Sequence, residues 1–242
     1  MHIHIQTPVS GGHFIMNYLY LCASSVEIPP YRDFIQRNKT RIESFIECIE
    51  QHYAVSELPN AVILTSAEIA TKKISSIPLP GYTNEFRTVF CPDPEVWKGF
   101  YLQQLTGTDD PKIRKYYDTE ITEGHVLQIL GHEFVHHSDL FIDEAYENAR
   151  WFEEGMCEYI SRKFFLTEAQ FQHERQINKF LVQRYEVIHQ KQALENFTRD
   201  IYGGAMEDIF YFYWKSFLAV DTAVRKLGSV VMRIWHELNA WH

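Results

Sequence analysis

The feature that most restricts how this chain can fold is His132-Glu133-Phe134-Val135-His136, read together with Glu154, from which seventeen residues separate it. On a helix, positions four apart lie one above the other, so the two imidazoles stand side by side. Glu133 is one step round the same helix and reaches a water held beside them. This is the H-E-x-x-H pattern, in which two histidines ligate one tetrahedral zinc and the glutamate acts on its water. With twelve His among 242 residues, chance alone gives such a pattern in roughly 5% of chains, so the surroundings must decide. The apolar flanks Val126 to Leu130 and Phe134-Val135 predict a buried helix over about 122–138. Trp151 to Tyr159 opens a second helical pattern that offers Glu154 as a third ligand. The competing reading is two core histidines in a helix that happens to carry a glutamate. A His132, His136, Glu154 set leaves one zinc position open, as catalytic sites require and structural sites do not.

Length suits one large domain, 1–242, with an α/β lobe over 1–115 and a helical lobe over 116–242. A net charge of −9 without a basic stripe argues against nucleic acid or an anionic membrane as partner. Cys22, Cys48, Cys91 and Cys157 are far apart and form no C-x-x-C pair, which predicts free thiols in a reducing compartment. No apolar run approaches a membrane span. Phe14 to Ala23 lacks the preceding Lys or Arg of a secretory signal, so a cytoplasmic protein is expected.

Met1 to Gln6 alternates with period two and predicts a strand, with a turn at Thr7 to Gly12. His2 and His4 read as strand-face residues. Phe14 to Leu21 fits strand or helix. Helical spacing runs from Tyr31 to about His52, a buried strand from Ala61 to Leu64, and a short helix from Ala67 to Ile74. Pro78, Pro80 and Gly81 predict a loop over Ser75 to Asn84, before a strand at Phe86 to Cys91. A helix over Val96 to Leu105 and a linker over Thr106 to Pro111 follow. Beyond the first ligand helix come helices at about 148–165, 167–197 and 205–227, the last closed by Gly228, then a short terminal helix with Trp235 and Trp241.

H-E-x-x-H followed by E-G-x-x-E-Y resembles the gluzincin zinc metallopeptidases, in their peptidase-MA-like and aminopeptidase-like branches. Trp151, Glu154, Gly155 and Tyr159 match that segment; the spacer is one residue shorter than the aminopeptidase pattern, and Cys157 replaces a small Ala. The resemblance is specific over about 131–228. It implies an α+β, thermolysin-like fold with a mixed sheet in a small N-terminal lobe and a mainly helical C-terminal lobe. It also implies that a strand before the zinc helix forms the upper rim of the cleft, for which Arg87 to Phe90 is the candidate. The family's oxyanion donor is a Tyr opening a helix of about fifteen residues that ends in Leu-Gly. Tyr213-Trp214-Lys215-Ser216 opens such a stretch and Leu227-Gly228 closes it, which makes Tyr213 the candidate. Tyr211 and Tyr202 are the runners-up, and an aromatic core cluster over Phe210 to Trp214 is the alternative. An acidic residue one turn after the ligand Glu braces the first histidine in the family, which points to Glu158 behind His132; an exposed Glu is the other reading. His137 reads as solvent-facing or supporting, and Asp143 and Glu144 as a solvated loop. Gly204-Ala205-Met206-Glu207-Asp208 imitates an amine-binding motif of aminopeptidases, but it follows the zinc helix instead of preceding it and is taken as coincidence.

The expectation is a metallopeptidase with one Zn2+ on His132, His136 and Glu154. Glu133 is the general base, Tyr213 the oxyanion donor, and a peptide or protein the substrate. Two alternatives stand beside it: a related fold of lost or restricted activity serving as a binding or regulatory module, and a zinc hydrolase of a non-peptide amide.

Overall fold

Five strands form one mixed sheet. The computed structural model describes residues 2–11, 14–103, 110–141 and 149–228, with side chains from Met16 onward. β1 (His2–Gly11) and β2 (Phe14–Cys22) pair antiparallel, from His2 opposite Cys22 to Gly11 opposite Phe14. The expected turn at Thr7 to Gly12 is therefore mostly strand. β1 lies at the sheet edge, where the missing N–H of Pro8 costs little, and the register irregularity between Gln6 and Val9 falls on it. In β2, Met16, Tyr18, Tyr20 and Cys22 are buried at period two, which settles strand over helix.

α1 (Ile28–His52) starts on Pro29-Pro30 and buries Phe34, Ile35, Ile42, Phe45, Ile46 and Ile49 at helical spacing. It leads into β3 (Ala61–Thr65), parallel to β2. After a helical segment at 67–74 come β4 (Gly81–Thr83) and β5 (Arg87–Phe90). The sheet order is β1-β2-β3-β5-β4, with β5 parallel to β3 and antiparallel to β4. This corrects two expectations. The stretch Ser75 to Asn84 is not all loop, and Arg87 to Phe90 is paired on both sides and cannot serve as a rim. The edge beyond β5 is β4. Proline and glycine hid a three-residue strand that β5 stabilises from one side.

α2 (Pro94–Gln103) is followed by α3 (Pro111–Thr119), for which no helix was expected. Its signals are ordinary ones: Asp110 accepts from the Lys112 N–H, Pro111 follows the cap, and Ile113, Tyr116 and Tyr117 are buried. α4 (Glu123–Val135) ends at the first ligand pair. α5 (Arg150–Phe165) carries Glu154, and α6 (Glu168–His189) begins on a Thr167/Gln170 capping box. α6 stops short of the expected Phe197, because Gln190 adopts a φ of 71° and turns the chain into two 3-10 turns, Leu194–Asn196 and Arg199–Gly203. α7 (Met206–Leu227) ends as expected on Gly228, at a φ of 60°. The aminopeptidase-like motif at 204–208 forms the start of α7 and lies on no strand. The side chains of His2 and His4, the residues 104–109 of the expected linker, Asp143, Glu144, and the expected terminal helix lie outside the described residues.

One core joins both halves of the chain: Tyr20, Phe45, Leu64 and Phe90 pack in the same cluster as Leu130, Cys157, Ile160 and Val220. Every residue of α4 from Gly124 to Val135 is buried, which makes it the central helix. α5 crosses α7 closely at Gly155, where a Cβ would come within 2.6 Å of the Ser216 carbonyl oxygen. All four cysteines are free thiols. Among the described residues, no helix is long and apolar enough to cross a membrane.

Candidate metal centre

The last turn of α4 and the second turn of α5 face each other. His132 Nε2 lies 3.1 Å from His136 Nε2 and 3.2 Å from Glu154 Oε2; His136 Nε2 lies 3.5 Å from the same oxygen. The three ligand atoms expected from the sequence thus form a small, nearly equilateral triangle. A tetrahedral zinc with bonds of 2.0–2.1 Å spaces its ligand atoms about 3.3 Å apart.

The backs of the rings bear on what this triangle can hold. His136 Nδ1 is 2.7 Å from Glu153 Oε1, and His132 Nδ1 is 3.0 Å from Glu158 Oε1, though out of line for a good hydrogen bond. Ionised carboxylates only accept, so each Nδ1 is placed to carry the proton. In neutral imidazoles that leaves both Nε2 atoms as acceptors, aimed at each other and at a carboxylate oxygen. Three lone pairs at this spacing, largely out of water, repel unless positive charge, a proton or a metal ion, stands among them. The imidazoles reflect this. Burial alone would disfavour the charged form of His132, but the Glu154 and Glu158 carboxylates lift it to about 9. Burial would raise Glu154, yet the positive charge of His136 and His132 holds it well below the ordinary carboxylate range. The residues are therefore of a kind that could hold a metal ion. They also include Cys157: one ligand atom from each of His132, His136 and Cys157 lies within 4.8 Å of the others, a group able to hold a metal ion.

A cleft opens on this centre. His132, Glu133 and Tyr213 line it, with Trp97, Tyr101, Ile129, Phe210 and Trp214 as apolar walls and Glu158 and Arg162 at its side. Glu133 is only 7% exposed, and burial raises its carboxyl above the ordinary value. A carboxylate made more basic in this way is a better proton acceptor. The Tyr213 ring lies 5.8 Å from the His132 ring, and burial followed by the Glu154 charge keeps its hydroxyl firmly protonated. Of the runners-up, Tyr211 points away, to Glu186 and Gln192, whereas Tyr202 donates to Glu154 Oε1 at 2.8 Å and lies 2.9 Å from the Tyr213 hydroxyl.

The structure thus brings together His132, Glu133, His136, Glu154, Glu158 and Tyr213. Glu158 is buried behind His132 and braced in turn by Arg162. Sequence reasoning gave no role to Glu153 or Arg162 and treated Cys157 as packing alone. For Glu153 the sequence offered no signal, because it stands about 100° round α5 from Glu154. His137 supports the site from outside: its Nε2 is 2.8 Å from Thr83 Oγ1 and ties α4 to the edge strand β4. Comparisons with protein-family models, curated proteins and solved structures found no match.

Proposed function

We propose that this chain is a zinc-dependent metallopeptidase of the gluzincin kind, with a thermolysin-like arrangement of a mixed sheet beside two ligand-bearing helices. The observation that carries the reading is the triangle of three acceptor atoms backed by two carboxylates. Zn2+ held by His132 Nε2, His136 Nε2 and Glu154 Oε2 would supply the Lewis acidity that lowers the pKa of water and polarises a carbonyl. Glu154 is favoured over Cys157 as third ligand because its oxygen already stands at tetrahedral spacing from both nitrogens.

The chain's own residues do the rest. Glu133 takes the proton of the attacking water and passes it to the leaving amine. Tyr213 donates its hydroxyl proton to the oxygen on which negative charge develops. The free edge of β4 offers backbone groups to an extended peptide, and the apolar walls keep bulk water from the reacting atoms. The proposed substrate is therefore a peptide or protein, and a net charge of −9 argues against nucleic acid.

The test is a peptide-mixture digest with metal-loaded wild type and Glu133→Gln. Cleavage by the wild type should fall at least 100-fold in the variant, the size expected for loss of a general base, while its metal content stays equal. A variant that cleaves as fast as the wild type contradicts the reading.

A further inference from the structure

Tyr202 lies in the 3-10 turn between α6 and α7, and its hydroxyl stands between the Glu154 carboxylate and the Tyr213 hydroxyl. We propose that Tyr202 is a positioning residue that fixes which oxygen of Glu154 faces the metal and presents the Tyr213 hydroxyl to the reacting oxygen. The inference rests on the metallopeptidase reading of this centre.

The argument is a proton count. A phenol has one proton to donate and lone pairs to accept with. Glu154, ionised, can only accept, so the Tyr202 proton lies on Oε1, at 2.8 Å. Towards Tyr213, at 2.9 Å, Tyr202 is then the acceptor and Tyr213 the donor. Two consequences follow. Oε1 is engaged by Tyr202, with Arg150 Nη1 3.8 Å away, so Oε2 alone is turned to the two imidazoles. The Tyr213 proton meanwhile rests on a neutral oxygen. A developing oxyanion is a stronger acceptor than a phenol, so Tyr213 can pass its hydrogen bond across to it. Phe197 holds both rings in place, with centroids 6.2 Å from Tyr202 and 5.7 Å from Tyr213.

The experiment is a titration of the full chain with Zn2+, against a competing chelator, and with Co2+, read by its visible absorption. Wild type, Tyr202→Phe and Tyr213→Phe are compared. Tyr202→Phe removes one oxygen and leaves the ring on Phe197, and a thermal melt confirms its fold. It should bind Zn2+ about tenfold more weakly, as loss of a partner to a metal ligand commonly does, and change the Co2+ spectrum as Oε1 is released. Tyr213→Phe, whose hydroxyl touches no ligand atom, should match the wild type in both. A Tyr202→Phe titration and spectrum that coincide with those of a metal-binding wild type overturn the positioning role and leave the metal centre standing. A wild type that binds neither ion overturns both.

Discussion

Glu153 and Glu158 stand behind the two imidazoles as a matched pair, one carboxylate to each Nδ1. Such partners hold a ligand ring in its tautomer and raise its basicity, and losing one commonly costs 10- to 100-fold in metal affinity. Glu153→Ala should therefore weaken Zn2+ binding by about that factor, with Glu153→Gln between it and the wild type because an amide oxygen still accepts from Nδ1. Competition with a chelator measures it, and affinities equal to wild type in both variants would remove Glu153 from the site. Glu158 was legible in the sequence because it repeats the face of Glu154 one turn later. Glu153 was not, since adjacent helical residues point about 100° apart and only the crossing of α5 over α4 turns it to His136. Cys157, three residues after Glu154, shares the face of Glu154, but reads as packing because it replaces the small Ala of the resembled pattern.

At the scale of elements, the site depends on α5 being held between α4 and α7. The close approach at Gly155 has no room for a methyl group: Ser216 O would be 2.6 Å away and Val220 Cγ2 2.7 Å. Gly155→Ala should destabilise by roughly 1–3 kcal/mol, the usual cost of overpacking. Gly99→Ala in α2, where nothing lies within 4 Å, should be neutral or stabilise by up to about 1 kcal/mol. Urea denaturation of both variants checks this; an equal effect at the two positions would contradict the packing argument. The long periodic elements, α1 and the helices carrying the ligands, were readable because their apolar faces are buried at the period of a helix. β4 was not, because three residues hold no periodicity and their order comes from β5. α3 had its cap and its proline in plain sight but sat in a polar stretch, where Arg114 and Lys115 part Ile113 from Tyr116 and Tyr117.

Across the whole molecule, a largely buried polar chain links the far end of α4 to the candidate metal centre. Thr122 N–H is bonded to His125 Nδ1, His125 Nε2 is 3.3 Å from the Tyr116 hydroxyl, and Tyr116 donates to Glu174. Arg162 lies between Glu174 and Glu158, with Asn178 bonded to its guanidinium. Burial pushes the His125 pKa below 6.5, against Glu174 and Glu120, which raise it, and with Arg162, which lowers it further. The folded chain thus binds this proton less readily than the unfolded chain. The contribution of His125 to stability is full above the ordinary histidine value and declines as pH falls from about 6.5 towards the lowered value. His125→Gln keeps the capping box and removes the titration, so its stability should fall less than that of the wild type between pH 7.5 and 5.5. Equal falls in urea melts would show that His125 titrates normally.

The central claim, that His132, His136 and Glu154 form a metal centre, is tested most directly by metal content. Purified wild type should carry about one zinc per chain, as a single His2Glu centre requires. Glu154→Ala should lose it on dialysis and Cys157→Ala should keep it. A wild type free of metal that also takes up no added zinc would contradict the account. Retention by Glu154→Ala with loss from Cys157→Ala would contradict the assignment of the third ligand.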